Sequence, residues 1–145
     1  FMSTTNGTKA FQKVQNIKNL FSMSLNNRKA IGDRIISLKE SNVLILGSGW
    51  EGSYSLEDSL AAGAIADYLI QINRDIVNIK NDELNAALAL WHYWKEDILK
   101  CLKTATHGKR LTNIGDYEDD FRCCSQLDSL YIVPLQVEKG VIRAS

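Results

Sequence analysis

The sequence has no surplus of charge of either sign. Its 145 residues carry 17 Lys and Arg against 17 Asp and Glu, a formal net charge of zero at pH 7. A chain that holds nucleic acid or an acidic membrane by charge needs a basic excess, so the balance removes the ground for either partner. Long hydrophobic runs are missing too. No apolar run approaches the roughly 20 residues of a membrane span, and the expectation is a cytoplasmic protein with no membrane partner. Cysteine is sparse. Cys101, Cys123 and Cys124 are odd in number, two of them adjacent, and none has the spacing of a zinc site or a disulfide framework. They are expected to be reduced, buried thiols. Internal repeats and low-complexity stretches are absent. What is present, 45% hydrophobic and 23% charged residues, suits one globular domain with a core of its own.

The chain is organised around residues 43–73. Residues 43–46 read VLIL and predict a short buried strand. A glycine-rich loop follows over residues 47–52. Ser55 is placed to cap a helix that carries Leu56, Leu60, Ala64, Ile65, Tyr68, Leu69 and Ile72 at helical spacing. Strand, glycine loop and helix start together build an anion site: glycines let backbone N–H groups approach the ligand, and the helix end adds partial positive charge. Gly47, Gly49 and Gly52 also match G-x-G-x-x-G, the dinucleotide fingerprint. Three features argue against that match. The cap lies beyond the last glycine instead of inside the motif. Glu51 would set negative charge against a pyrophosphate. Asp75, near the spacing of the ribose-binding acid, follows no β-like run.

A second candidate anion loop precedes this one. Residues 3–8 read STTNGT and lead into Lys9, Ala10, Phe11 and Val14. Asn6 and Gly7 favour positive backbone dihedrals, and Thr5 or Thr8 is placed to cap a helix; a plain capped turn is the alternative. Residues 18–24 then read as a strand around Leu20, Phe21, Ser22 and Met23, and residues 26–39 as a helix. A turn is expected over 73–80. Asp82 is expected to cap one long helix from Glu83 to about Lys103, with Leu84, Leu88, Trp91, Trp94, Ile98 and Leu102 as its apolar stripe. Trp91 and Trp94 read as core, and His92, off the stripe, as a solvated surface residue. Gly115 reads as a helix stop. Glu118, Asp119 and Asp120 suit the start of a helix through Cys124 to Leu127. Residues 131–133 read as a strand ended by Pro134, and residues 135–142 as a hairpin turning at Lys139 and Gly140. Strands near 19–23, 43–46 and 131–133 alternating with helices predict an α/β fold, a three-layer α/β/α arrangement around a parallel or mixed sheet.

Residues 47–69, GSGWEGSYSLEDSLAAGAIADYL, resemble the signature of the 2-phosphosulfolactate phosphatase family: a short strand, a small-residue loop with G-x-E-G, then S-L-E-D and A-G-A. Gly49, Glu51, Gly52, Ser55, Leu56, Glu57, Asp58, Ala62, Gly63 and Ala64 carry the match. T-T-N-G-T followed by a basic residue and alanine is also a motif of that family, and two motifs in the right order are far more specific than one. Asn27 matches the asparagine of a family loop, with a helix cap as the alternative. His107 and Gly108, followed by basic residues, Leu111 and Gly115, resemble another family segment. Asp120, Cys124, Asp128, Val133 and Pro134 fit its D-x-x-x-C, D, V-P order. The chain departs where the family often has Cys-Ala, here Gly47 and Ser48, and where it often has Thr before the glutamate, here Trp50.

The resemblance implies a phosphatase that hydrolyses 2-phosphosulfolactate to sulfolactate and phosphate with Mg²⁺, in coenzyme M biosynthesis. It covers nearly the whole chain but only the latter part of the family's length. Motifs of the D-V-L-R-A and G-N-S-P type are expected upstream, and Phe1 and Met2 read as a strand end. The chain is thus expected to be the C-terminal part of a phosphosulfolactate-phosphatase-like domain and inactive alone, with a strand edge that favours self-association into a homo-oligomer. Such chemistry needs electrostatic cover for the phosphoryl oxygens, a cation and a placed nucleophile. By the resemblance, Thr5, Asn6, Gly7, Thr8, Asn27, Gly49, Gly52 and His107 are the substrate-binding or phosphate-binding candidates. Glu51, a loop acid beside glycines with no evident structural task, is the catalytic candidate. Glu57 and Asp58 are the metal candidates, since Mg²⁺ keeps several waters and needs only one or two carboxylates. Residues 55–58 also have capping-box geometry, a structural alternative for that pair. His107 is left between base and surface residue, and Cys124 reads as a packed thiol. Two other functions stay open: a nucleotide- or dinucleotide-binding module using the glycine loop, and a non-catalytic paralogue that scaffolds a partner.

Overall fold

The computed structural model describes residues 4–39 and 42–144; the expected strand end at Phe1 and Met2 lies outside them. Helix α1 spans Thr5–Val14. A 3-10 turn at Leu25–Asn27 leads into α2, Arg28–Leu38. Then come α3 (Leu56–Ile72), α4 (Asp82–Trp94), α5 (Ile98–Thr104), α6 (Thr106–Ile114), α7 (Glu118–Cys124) and the strands β1 (Pro134–Glu138) and β2 (Val141–Ala144). No described helix is long and apolar enough to cross a membrane.

Helix α3 is the centre of the fold. Ser55 caps it as expected, its hydroxyl accepting from the Asp58 N–H at 3.2 Å. Its buried residues, from Leu60 through Gly63–Asp67 to Leu69, cover more than one face because α2 packs on one side and α4 on the other. The α3–α4 contact is close because the residues facing it are small: a Cβ on Gly63 would sit 2.0 Å from the Ala87 carbonyl oxygen. Around this seam Leu25, Leu60, Ala64, Trp91, Ile98 and Cys101 form the core. Each such large side chain contributes about 2 kcal/mol through removal from water.

Polar side chains then fasten the outer segments to this pair. Asp67 is buried in α3 and accepts from Trp91 Nε1 at 2.9 Å and Gln71 Nε2 at 2.7 Å, with His92 Nε2 at 3.0 Å. His92 is half exposed as expected, but it is held in this ion pair instead of standing free in solvent. Burial alone would raise the Asp67 carboxyl; hydrogen bonds from His92, Trp91 and Gln71, with the charge of His92, outweigh it and hold the group below its usual value of 3.8. Arg28 pairs with Asp128 and lies over the rings of Tyr68 and Trp91 at 5.2 and 5.6 Å. The Lys29 N–H also donates to Asp128, at 2.7 Å, so the segment after α7 is clamped to the start of α2.

The structure corrects several expectations. The long helix from Glu83 breaks after Trp94, where the Asp97 carboxylate accepts the Lys100 N–H at 3.1 Å and starts α5 instead; an Asp side chain offers the backbone an alternative to continued helix. Asn81, not Asp82, caps α4. The hairpin forms as read, but Pro134 opens β1 and does not end a preceding strand. The three-layer sheet is not formed among the described residues, whose only ladder is the antiparallel β1–β2 pair. Near 19–23 there is a single bridge, Phe21 with Leu135. Residues 43–46 belong to no strand or helix, and Val43, Leu44 and Leu46 are exposed. Periodicity marks extended, apolar chain; it does not supply the neighbour that makes such chain a sheet. Cys101 is buried, which pushes its thiol up to about 11, but Cys123 and Cys124 are exposed.

Two outcomes follow for stability. Gly63→Ala forces α3 and α4 apart and should destabilise by about 3 kcal/mol, read as a lowered denaturant midpoint. Because the folded Asp67 carboxyl is depressed, its contribution is complete above the ordinary Asp value and is lost as pH falls through the folded value. Unfolding curves at pH 7 and below pH 4 should therefore converge for wild type and Asp67→Asn as acid is added; a constant gap would contradict this.

Candidate active site

The start of α1 and the glycine loop, 44 residues apart in sequence when counted from Gly7 to Glu51, meet at one place. The expected turn at Asn6 and Gly7 is not formed: both lie in the first turn of α1 without positive φ, and Thr4, not Thr5 or Thr8, stands at the cap. Residues 4–7 line one side of an open cleft of about 320 Å³; residues 48–50 with Ser55, Glu57 and Asp58 line the other. Asn6 joins them directly, its Oδ1 accepting the Glu51 N–H at 3.3 Å. Helices α1 and α3 both begin here, so two sets of N-terminal N–H groups and two positive helix ends converge on the cleft.

The glycine loop is a tight turn. Trp50 and Ser53 exchange backbone hydrogen bonds at 3.1 and 2.8 Å, with Glu51 at φ 49° and Gly52 at φ 83° between them. Positive φ at both central positions is the type I′ form, which glycine adopts freely and glutamate does not. Gly49 lies at φ 67°, and a Cβ there would stand 2.7 Å from the Ser53 carbonyl oxygen. The N–H groups of Gly49, Trp50, Glu51 and Ser53 are already occupied. That of Gly49 donates to Asp58 Oδ2 at 2.7 Å, and the Ser48 hydroxyl reaches the same oxygen at 3.3 Å. Asp58 therefore does only half of what a capping box requires. Its N–H meets Ser55, but its carboxylate ties down the glycine loop.

Of the other candidates, Thr5, Asn6, Gly7, Gly49, Glu57 and Asp58 line the cleft together. Glu51 and Gly52 form the exposed tip of the turn beside it. Thr8 turns its hydroxyl back to accept the Thr4 N–H at 3.1 Å, closing the first turn of α1. Asn27 is buried elsewhere: its Oδ1 accepts from the Ser24 N–H, and its Nδ2 donates to the carbonyls of Ser22 and Ile132. His107 sits near the start of α6, outside the cleft lining, with its ring centroid 4.1 Å from that of Trp50. Arg110 lies over the same indole at 5.4 Å. Sequence reading treated Trp50 only as a departure and passed over Arg110. The available signal was the spacing of His107 and Arg110, three apart and so on one helix face.

Among the described residues no group of three or more His, Cys, Asp and Glu could hold a metal. The donors that do line the cleft, two carboxylates with threonine and serine hydroxyls, are hard oxygens, which is the set that Mg²⁺ takes alongside waters and substrate phosphate. The dinucleotide alternative finds little support: α3 starts at Leu56, beyond the glycine motif, and Asp75 lies exposed in a turn with no strand before it.

Known proteins resemble this chain over nearly its full length. The family model described as 2-phosphosulpholactate phosphatase matches residues 1–139. A Prochlorococcus marinus protein named "Probable 2-phosphosulfolactate phosphatase" is 57% identical over 142 residues, covering 98% of this chain and 58% of that relative. A protein of the same name from a second strain of that species is 54% identical across 100% of this chain and 60% of its own length. One from a Synechococcus species is 51% identical over 144 residues, 99% of this chain and 57% of the relative. The chain thus spans about three-fifths of the length of the curated relatives it matches.

The left-handed backbone of Glu51 gives a test of the turn. Glu51→Gly removes the steric cost of positive φ and should leave stability unchanged or raise it by up to about 1 kcal/mol, seen as an equal or higher melting temperature. A clear loss would mean that the glutamate side chain holds the turn together.

Proposed function

The chain belongs to the 2-phosphosulpholactate phosphatase family, and on that premise we propose that the whole protein hydrolyses a small 2-phospho acid of the 2-phosphosulfolactate type to the hydroxy acid and phosphate, using the cleft between the start of α1 and the glycine loop. The observation that carries this reading is the convergence of both motifs on that one cleft, joined by the Asn6–Glu51 hydrogen bond. The starts of α1 and α3 supply N–H groups and positive helix ends for the phosphoryl oxygens. Glu57 and Asp58 would hold Mg²⁺, which when bound neutralises phosphoryl charge. Glu51, exposed at the tip of a strained turn, is the proton acceptor for the attacking water. A left-handed glutamate kept at a cleft edge is the kind of local cost that persists at functional positions. As water oxygen bonds to phosphorus and gives its proton to Glu51, the ester P–O bond breaks and the leaving alkoxide takes a proton from solvent water. The exposed apolar side chains of Val43, Leu44 and Leu46 support a further part of this reading, that the whole protein completes a layered α/β/α sheet along them.

Phosphate release from 2-phosphosulfolactate by the whole protein, with and without EDTA, tests the proposal. Turnover abolished by EDTA and restored by Mg²⁺ is expected; undiminished turnover would remove the metal. Glu51→Gln should lower kcat by about 100-fold or more with the melting temperature unchanged, and unaltered kcat would remove Glu51 from the reaction.

A further inference from the structure

The charges that line the cleft are those of Glu57 and Asp58, both negative. A phosphorylated acid brings further negative charge, and 2-phosphosulfolactate carries a carboxylate and a sulfonate besides its phosphate. Helix ends and a metal ion at the acids serve the phosphate, which leaves the other anionic groups without a cation among the described lining residues. A built source of positive charge lies against Trp50, in the Arg110 guanidinium. That indole lines the cleft, and its backbone is fixed by the paired hydrogen bonds to Ser53. His107 rests on it at 4.1 Å between centroids with the rings inclined by 31°, and the Arg110 guanidinium lies 5.4 Å from its centre. Contacts of this kind hold a guanidinium in place while leaving its N–H donors free to bond in the ring's periphery. His107 adds an independent sign. Its Nδ1 is buried and has no hydrogen-bond partner among the described residues, a state that costs about 1–3 kcal/mol unless a partner arrives.

We propose that Trp50 is a positioning residue that holds Arg110, with His107 packed on the same indole, as the cationic flank of the cleft, and that this flank receives the second anionic group of the substrate. The proposal rests on the phosphatase reading for its substrate and names what makes that site prefer an acid with more than one anionic group. Arg110 reaches an anion bidentately, which suits a sulfonate or carboxylate. Trp50 acts through its neighbours and does not touch the reacting atoms.

The test compares 2-phosphosulfolactate with 4-nitrophenyl phosphate, a phosphomonoester without a further anionic group, in the whole protein. Trp50→Ala and Arg110→Ala should each raise KM for 2-phosphosulfolactate about tenfold more than KM for 4-nitrophenyl phosphate, the loss of one charge-assisted contact. Trp50→Phe, which keeps a ring, and Arg110→Lys, which keeps the charge, should recover part of the loss. Equal changes for both substrates, or a Trp50→Phe variant as impaired as Trp50→Ala, would overturn the proposal. Arg110 is exposed, so its variants read the flank even where the Trp50 variants disturb the loop. Calorimetric binding of sulfolactate and of inorganic phosphate separates this idea from the phosphatase reading. If wild type hydrolyses neither ester, the phosphatase reading fails, while weaker sulfolactate binding by Arg110→Ala with unchanged phosphate binding upholds the flank. Equal sulfolactate binding by both proteins, or none by wild type, overturns it.

Discussion

A Cβ on Gly63 would lie 2.0 Å from the Ala87 carbonyl oxygen and 2.8 Å from the Trp91 Cβ, so α3 and α4 meet backbone to backbone. That approach sets the depth of everything around it. It brings Trp91 over Leu60 and Ala64, and it delivers the indole N–H to Asp67 on the neighbouring helix. The same tryptophan ring lies beneath Arg28, whose other partner, Asp128, anchors the segment leading to the hairpin. A wider α3–α4 spacing would disturb the core, the buried carboxylate and the clamp on the C-terminal segment at once, because each takes its geometry from the position of Trp91.

At the other end of α3 one residue couples the helix to the loop. The Asp58 N–H is fixed by Ser55, and its carboxylate holds the Gly49 N–H and the Ser48 hydroxyl. The carboxylate therefore occupies donors that an anionic ligand would also seek. Coulomb repulsion between the ligand and Asp58 is relieved in either of two ways: a cation binds beside the carboxylate, or the carboxylate turns from the loop and frees its donors. Either way the Asp58 side chain stands between the glycine loop and an anion that enters the cleft.

Much of this was legible in local sequence, and the losses have a common cause. The Ser55 cap, the Gly115 stop, the α7 start at its acidic run and the turn at Lys139 and Gly140 were readable because each depends on residues within one turn of each other. The glycine loop was readable from its glycines, but residues 5–8, expected as a turn with positive dihedrals at Asn6 and Gly7, form the first turn of α1, because the chain enters the helix at Thr4 and neither residue takes a positive φ. That the two segments share a cleft was not readable, because the Asn6–Glu51 hydrogen bond depends on how α1 lies against the start of α3. The break at residues 95–97 was missed because the apolar stripe runs on through Ile98 and Leu102 while the cap at Asp97 is a single side-chain contact. Burial of Asp67 breaks the rule that charge faces water, and only the donors from Trp91, Gln71 and His92, one of them on its own helix and two on α4, make it tolerable.

The departures from the family pattern now acquire a physical meaning. A threonine before the loop glutamate would offer a hydroxyl to the cleft. Trp50 offers instead a broad, polarisable face on which a helix from another part of the chain can rest, and α6 does so through His107 and Arg110. The type I′ turn makes this possible, since it fixes the indole's backbone with two hydrogen bonds while leaving the side chain free to meet α6. A small residue at this position would leave a gap between loop and helix and would take from the Arg110 guanidinium the ring on which it rests. Replacing one small polar side chain by an indole thus changes the electrostatics of the cleft without adding a charge to the loop, by recruiting charge already carried on α6.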